Sequence, residues 1–307
     1  MDDLCRTFIA DAGWADATAQ PIAGDLSARR YTRLMRPDGQ TAILMDARDE
    51  DSTPRFVRIT HWLRSIEISA PEILADHSAA GLLLLEDLGA EKPKALLTDP
   101  DMCATCLALL LHLRKAEPLP GLPCPGATEL ADWTSLAEDH YPKAEKPSLR
   151  AFRAYLETIL QEIMTGPRTP SLRDFHVENL LWLPDRDGIR RLGVLDYQDA
   201  FVTHPVYDLV SLLTDARHEV PTALRRQVLA SYAKLSGDNP DSLSLAFAAF
   251  SAQRNLRILG IFARAASRDG KTHHLDKIPR VRTYLLEALS HPMLAGHRDA
   301  VAKALPQ

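Results

Sequence analysis

Cysteine is scarce in this sequence: 307 residues hold four, Cys5, Cys103, Cys106 and Cys124. They are too few and too scattered for a disulfide framework. Cys103 and Cys106 form a C-x-x-C, but they stand among Met102, Leu107, Leu109, Leu110 and Leu113. That spacing puts both thiols on the apolar face of a helix, where free cysteine acts as a small hydrophobe. No second Cys/His pair has ligand spacing, so no zinc or redox centre is expected there. Long apolar runs are missing too. The longest, Ala79–Leu85 and Cys106–Leu111, fall far short of the ~20 residues that span a bilayer. Basic charge is not in excess: 36 Lys/Arg against 41 Asp/Glu leave a net charge of −5. A nucleic-acid binder needs a dense basic face. The acidic start, M-D-D-L-C-R-T-F-I, lacks the basic region of a secretory signal. A soluble, cytoplasmic protein that engages neither membrane nor nucleic acid is expected.

Familiar catalytic signatures are also absent. No two of the fourteen glycines are two apart, so there is no G-x-G-x-x-G. Gly270-Lys271-Thr272 resembles the end of a Walker A loop, but Ala265 stands where its first glycine belongs, and a helical pattern precedes it instead of a strand. There is no H-E-x-x-H and no G-x-S-x-G. His273 and His274 are adjacent, so on a helix their rings would diverge and no metal site is expected.

What is present is ordinary globular composition, 46% hydrophobic and 25% charged, in a chain long enough for two domains at ~150 residues each. The first ninety or so positions read as mixed α/β. Asp2 or Asp3 caps a short helix carrying Leu4, Phe8 and Ile9. Strands are expected at Arg29–Leu34 and Thr41–Asp46, around the turn Pro37-Asp38-Gly39, and again at Pro71–Ala75 and Gly81–Leu85. A helix over Pro54–Ile66 lies between the two pairs. From about Ala90 helical periodicity dominates, best at Asp101–Lys115, Ser148–Met164, Pro221–Leu235, Ser242–Ala266 and Lys277–Leu289. The Pro-rich stretch Pro118–Gly126 is a loop. One hairpin, Asn179–Leu183 with Ile189–Leu195, interrupts the helices.

That hairpin belongs to the informative stretch, S-L-R-D-F-H-V-E-N-L-L-W-L-P-D-R-D-G-I-R-R-L-G-V-L-D-Y-Q-D-A over Ser171–Ala200. Phosphoryl transfer needs a carboxylate that orients a substrate hydroxyl and hard oxygen ligands that hold Mg²⁺ on nucleotide phosphates. Asp174 in a loop, Asn179 five residues on, and Asp196 returned by the hairpin supply those parts. Asp and Asn are also common turn formers; the hairpin that brings Asp196 back is what makes the pattern specific.

The stretch resembles the aminoglycoside phosphotransferase/choline kinase-like family, whose fold is that of the protein kinases. The resemblance implies an α+β, bilobal, protein-kinase-like fold, with a small antiparallel-sheet lobe over residues 1–89 and a larger, mainly helical lobe over 90–307. It implies ATP and Mg²⁺ as cofactors, Asp174 as the catalytic base, and Asn179 and Asp196 as metal ligands. G-D-L-S-A-R-R-Y (Gly24–Tyr31) is similar to the family's phosphate-covering hairpin, which makes Gly24, Ser27, Arg29 and Arg30 cofactor-binding candidates. L-L-L-L-E-D-L-G (Leu82–Gly89) is similar to the hinge, where backbone groups of Glu86 and Leu88 would meet the adenine. Asp208, in P-V-Y-D-L-V-S-L-L, matches a helix-opening aspartate expected to cap its helix and tie down the catalytic loop.

Within the family, G-D-L-S-A-R-R-Y, L-D-Y-Q-D-A and Q-R-N-L-R-I-L-G-I-F-A-R-A-A-S-R-D-G-K (Gln253–Lys271) resemble the anomeric amino-sugar kinases that act on N-acetylmuramate and N-acetylglucosamine. By that likeness Arg254, Asn255 and Arg264 would face the sugar, with Asp199 near its edge; as plain residues they read equally as helix-packing or surface groups. Two positions depart from the family. Met45 stands where the strand lysine that grips phosphate is expected, leaving Arg29 or Arg30 to replace it. Leu172 stands where a histidine precedes the base. Those departures keep a non-catalytic nucleotide binder open as an alternative. From Ala200 to Gln307 there are fourteen Lys/Arg against nine Asp/Glu. A net-basic block suits a neutral or anionic acceptor better than a polycationic aminoglycoside; choline, homoserine and other small alcohols are the remaining alternatives.

Overall fold

The computed structural model describes residues 1–22, 29–50 and 52–306. In chain order it opens with α1 (Asp3–Asp11), β1 (Thr18–Ile22), β2 (Arg30–Met35), β3 (Thr41–Asp46), α2 (Thr53–Ser65), β4 (Ile73–His77) and β5 (Leu82–Glu86). There follow α3 (Pro100–Lys115), α4 (Ala127–Asp132), α5 (Ser135–His140), α6 (Lys146–Ile163), β6 (Thr169–Ser171), β7 (Leu180–Trp182), β8 (Leu192–Val194) and β9 (Phe201–Thr203). The chain closes with α7 (Tyr207–Leu213), α8 (Thr222–Ser236), α9 (Pro240–Asp269), α10 (Ile278–Ala288) and α11 (Arg298–Ala304). Two compact units result: Met1–Lys94 with Glu178–Asp199, and Ala95–Val177 with Ala200–Gln307.

The first unit is built on a five-stranded antiparallel sheet of order β1-β2-β3-β5-β4. Alternation along the strands sends Leu34, Ala42, Leu44, Leu82 and Leu84 to one face, where they pack with Cys5 and Ile9 of α1 and with Trp14. Asp2 starts α1 by accepting the Cys5 N–H at 3.0 Å. Met45 and Leu83 pair across β3 and β5 and are fully buried. β1 was not expected as a strand: all five of its residues are exposed, and Pro21 sits where an edge strand tolerates a missing donor.

The hairpin β7–β8, which lies within the expected second lobe of residues 90–307, groups with the sheet instead. The Val194 N–H donates to Ser69 O at 2.9 Å, and the Trp182 N–H donates to Glu91 O at 2.8 Å. Ser69 Oγ donates to Arg190 O at 2.7 Å. Just beyond the hairpin, the Tyr197 ring stacks on Phe56 of α2 at 5.1 Å, and its hydroxyl lies 2.7 Å from Thr60 Oγ1.

The second unit is helical around α9, which packs against α5, α6, α7 and α10. At 30 residues α9 runs about 45 Å. Asn239 caps it by accepting from the N–H groups of Asp241 and Ser242, and Gly270 ends it in the left-handed region. Gly260 lets α5 approach closely: a Cβ there would lie 2.3 Å from the carbonyl carbon of Leu136. The two three-residue strands β6 and β9 pair antiparallel, Thr169 with Thr203 and Ser171 with Phe201, at the two ends of the Ser171–Ala200 stretch. On α3, Cys106 is buried and Cys103 half-buried, both free thiols. His273 and His274 fall in a 3-10 turn instead of an α-helix, and their rings lie 3.9 Å apart, with His274 stacked on Phe262.

Candidate active site

The loop that carries Asp174 is held by a buried carboxylate. Asp208 of α7 accepts from Ser171 Oγ at 2.8 Å, the Leu172 N–H at 2.8 Å and the Arg173 N–H at 3.0 Å. The expected cap is therefore corrected: Asp208 lies in the first turn of α7, after the cap position Val206, and its oxygens serve the loop instead of its own helix. Burial pushes the Asp208 carboxyl up to about 6, against the pull of these donors. Leu172, in place of the expected histidine, is buried packing. Arg173 is forced to φ 71°, a conformation that costs an L-residue roughly 1–2 kcal/mol. The three donors to Asp208 hold it there, and the turn delivers Asp174.

Asp174 is met by α9. Arg254 Nη2 donates to Asp174 Oδ1 at 2.9 Å, and Arg254 Nη1 donates to Arg173 O at 2.7 Å. The Arg254 side chain is 5% exposed while that of Asp174 is 36% exposed, so the guanidinium is the buried anchor and the carboxylate the accessible group. Burial would raise the Asp174 carboxyl; Arg254 foremost, then Arg173 and His176, overcome it and hold the group well below the usual carboxylate range. Asp174 is a carboxylate at neutral pH.

The first unit carries the other two candidates. Asn179 O accepts from the Leu195 N–H at 2.9 Å, and Leu180 pairs with Val194, so the hairpin register sets Asn179 across from the segment leading to Asp196. Asp196 is a second residue in the left-handed region, φ 56°, with its side chain 48% exposed. Gln198 Nε2 donates to Asp196 Oδ1 at 2.9 Å. Arg29, 6% exposed, donates from Nε to Glu50 Oε2 at 2.9 Å and brings Nη1 to 3.7 Å from Asp196 Oδ1. Asn179 and Asp196 offer oxygen donors only, the set suited to Mg²⁺ or Ca²⁺, and two protein ligands leave positions for phosphate oxygens and water. Among the described residues no group of three or more His, Cys, Asp or Glu side chains gathers as a metal cluster.

Other expected residues are placed as follows. Gly24 and Ser27 lie outside the described residues. Arg30 is largely exposed and pairs with Asp46 at 3.3 Å and Asp49 at 3.4 Å. The Glu86 N–H is spent on Glu72 O at 2.8 Å, and its carboxylate meets Arg186; Leu88 is buried with Cδ1 against Gly193. Asn255 is buried and turns its amide back on its own helix, to Ser251 O at 2.8 Å. Arg264 is exposed, ten residues and so about 15 Å along α9 from Arg254. Asp199 pairs with Arg55 at 3.1 Å within the first unit.

Groups that sequence reasoning passed over include Glu50, Trp133, Arg173 and Arg257. The guanidinium carbons of Arg173 and Arg257 lie 5.6 and 5.0 Å from the centroid of the Trp133 ring. Arg257 was findable, because it follows Arg254 by three on one helix and so shares its face. Glu50, just after the Arg48-Asp49 turn, carried no signal.

A five-stranded antiparallel sheet paired with a helical unit is the architecture of the protein-kinase-like phosphotransferases. A choline/ethanolamine kinase family protein from Mesorhizobium loti superposes over 98% of this chain and 99% of its own, with a TM-score of 0.72 at 14% identity. The phosphotransferase enzyme family model matches residues 18–246, and the chain belongs to that family, as a small-molecule kinase. It is 32% identical to the N-acetylmuramate/N-acetylglucosamine kinase of Caulobacter vibrioides, over 94% of this chain and 92% of that one. It is 30% identical to the enzyme of the same name from Pseudomonas aeruginosa, over 99% of this chain and 94% of that one.

Proposed function

We propose that the enzyme transfers the γ-phosphoryl group of ATP to the anomeric hydroxyl of an N-acetylated amino sugar, N-acetylmuramate or N-acetylglucosamine. The observation that carries this reading is Asp174: an accessible carboxylate, kept ionised by a buried arginine, at the head of a strained turn. The acceptor is supported by the names of relatives aligned over nearly the whole chain.

In this reading the sugar hydroxyl donates its hydrogen bond to Asp174, which aims the oxygen at the γ-phosphorus. The oxygen–phosphorus bond forms as the bond to the β,γ-bridging oxygen breaks, ADP leaves with that electron pair, and the hydroxyl proton passes to Asp174. A carboxylate held so acidic is a weak base. It therefore orients the nucleophile and takes the proton late, which suits a loose transition state with little charge on the attacking oxygen. Asn179 and Asp196 would hold the divalent cation, which, when bound, supplies neutralisation of the nucleotide phosphates. Arg29, fixed by Glu50, supplies the second positive charge on the Asp196 side in place of the strand lysine that Met45 replaces.

Transfer from γ-labelled ATP with Mg²⁺ to N-acetylmuramate, N-acetylglucosamine and kanamycin, side by side, tests the acceptor. Label in the two N-acetyl sugars is expected; label in kanamycin alone would overturn the reading. Asp174→Asn is expected to lower kcat by about 10²–10⁴, and full turnover in that variant would remove Asp174 from its role.

A further inference from the structure

Around Asp174 the second unit gathers more positive charge than the base requires. Arg254 is committed to Asp174 and to the Arg173 carbonyl. Arg257, three residues further along α9, presents its guanidinium over the Trp133 ring, as Arg173 does from the catalytic loop. Among the described residues, no carboxylate lies within salt-bridge distance of Arg257, and its guanidinium donates no hydrogen bond. Its neighbours compound the cost. Burial strips water from it, and Arg173 and Arg254 repel it, while Asp174 and the Tyr207 hydroxyl attract it; the net effect is to lower its pKa. A guanidinium has five donors in a planar fork that matches a carboxylate. Trp133 supports the charge through its π-face but satisfies none of those donors. Arg257 is still partly exposed, so a ligand can reach it.

The two acceptors named above differ at a single place. N-acetylmuramate is N-acetylglucosamine bearing a lactyl ether on the C3 oxygen, and that ether ends in a carboxylate. With the C1 hydroxyl on Asp174, C3 stands two ring carbons from the reacting centre, and the lactyl ether carries its carboxylate further out. Arg254 and Arg257 are spaced to match such a span: residues three apart on a helix face are about 5–6 Å apart at Cβ, one fixing the base and the next free to take a second anionic group beyond it. We propose that Arg257, seated with Arg173 on Trp133, is the residue that recognises the acceptor's carboxylate and so sets the preference for N-acetylmuramate over N-acetylglucosamine. This inference rests on the amino-sugar reading of the acceptor. It makes Arg257 a specificity residue, distinct from Arg254, whose guanidinium is engaged with Asp174, the Arg173 carbonyl and the Tyr207 hydroxyl.

The experiment compares kcat/KM for the two sugars in wild-type enzyme, Arg257→Met and Arg257→Lys, with the uncharged methyl ester of N-acetylmuramate as a third acceptor. Met keeps a long apolar stem against Trp133 and removes the charge; Lys keeps the charge and loses the fork. The ratio of specificity constants, N-acetylmuramate over N-acetylglucosamine, is expected to fall about 10- to 100-fold in Arg257→Met, the scale of a charge-assisted hydrogen-bonded pair. A smaller fall is expected in Arg257→Lys. Wild-type enzyme is expected to favour the free acid over its ester, and Arg257→Met to treat the two alike, which closes a double-mutant cycle between residue and ligand. The reading of the ester in wild-type enzyme does not depend on how any variant folds. An unchanged ratio in Arg257→Met, or equal wild-type use of acid and ester, overturns the assignment. Failure of the wild-type enzyme to phosphorylate either sugar would instead overturn the acceptor reading on which it stands.

Discussion

Arg254 reaches from the middle of a 30-residue helix to place Nη2 2.9 Å from Asp174 Oδ1, and the same guanidinium holds the carbonyl of Arg173. One buried cation thus fixes both the charge of the candidate base and the strained residue before it. Arg173, Arg257 and His176 face the same carboxylate, His176 Nε2 lies 3.2 Å from Arg217 Nη1, and Asp208 and Asp215 are the buried acids nearby.

Replacing Arg254 by Met is expected to move the acid limb of the kcat/KM pH profile upward. The native carboxyl is depressed, so its ionised form persists to low pH. Without Arg254, the largest of the opposing charges, the burial cost is less well offset by Arg173, Arg257 and His176, and the group rises toward or past the ordinary ~3.9. The same depression makes the ionised Asp174 stabilising above its unfolded pKa, a contribution lost as pH falls through the folded value. Profiles for wild type and variant decide the matter, because a purely structural role would lower kcat and leave the limb in place.

Asp208→Asn is expected to lose about 2–3 kcal/mol in urea unfolding, since an amide offers one acceptor oxygen to three donors and turns its own N–H toward one of them. The pH dependence carries a definite sign. The Asp208 carboxyl rises on folding from 3.8 to about 6, so the folded state binds more protons across that window, and stability from this group falls as pH rises through it. The difference in stability between the native protein and Asp208→Asn is expected to change across that same window.

Met45→Lys, which restores the lysine common in related folds, is expected to lower Tm without lowering KM for ATP. Met45 is fully buried between Tyr31 and Leu83, and an ammonium there loses its water with no carboxylate in its register pairs. Arg29→Met is the complementary change and is expected to raise KM for ATP about tenfold, consistent with one charge-assisted contact. A Met45→Lys enzyme with improved ATP affinity would show that Arg29 had not taken over.

Gly260→Ala tests the helix crossing. Its Cβ would meet the Leu136 carbonyl carbon at 2.3 Å and the Ala137 nitrogen at 2.4 Å, both backbone atoms that cannot swing aside. A loss of about 3 kcal/mol or more is expected, with Tm falling by roughly 5 °C or more for a chain of this size. Gly193→Ala is the control. There the contacts are Leu183 Cδ1 at 3.1 Å and Leu88 Cδ1 at 3.2 Å, side-chain ends that can rotate, and a loss nearer 1 kcal/mol is expected.

Long periodic segments were legible before the structure. The helix expected at Asp101–Lys115 is α3, and the hairpin around Pro184–Gly188 is β7–β8, because apolar period and turn chemistry are local properties. β6 and β9 escaped notice: three residues are too few to show alternation, and their pairing joins positions some thirty apart. β1 escaped because none of its side chains is buried. Among the candidate residues, Asp174, Asn179 and Asp196 stood out by spacing. That Arg254 is spent on Asp174, and that Asn255 turns away onto Ser251, depends on helix phase against a distant loop, which no local pattern encodes.

The grouping of the hairpin with the N-terminal sheet has a consequence for synthesis. A ribosome releases Met1–Lys94 first, but Ser69 O and Glu91 O wait for the N–H groups of Val194 and Trp182, which lie beyond the whole segment Ala95–Val177. At roughly 5–20 residues per second that delay is on the order of ten seconds. Through that interval the emerging sheet lacks the hairpin that meets Ser69 and the Tyr197 ring that stacks on Phe56. The first unit is therefore expected to complete its core only after translation has passed Asp199, and nascent chains arrested before that point are expected to be more readily cleaved by protease near α2 than chains arrested after it.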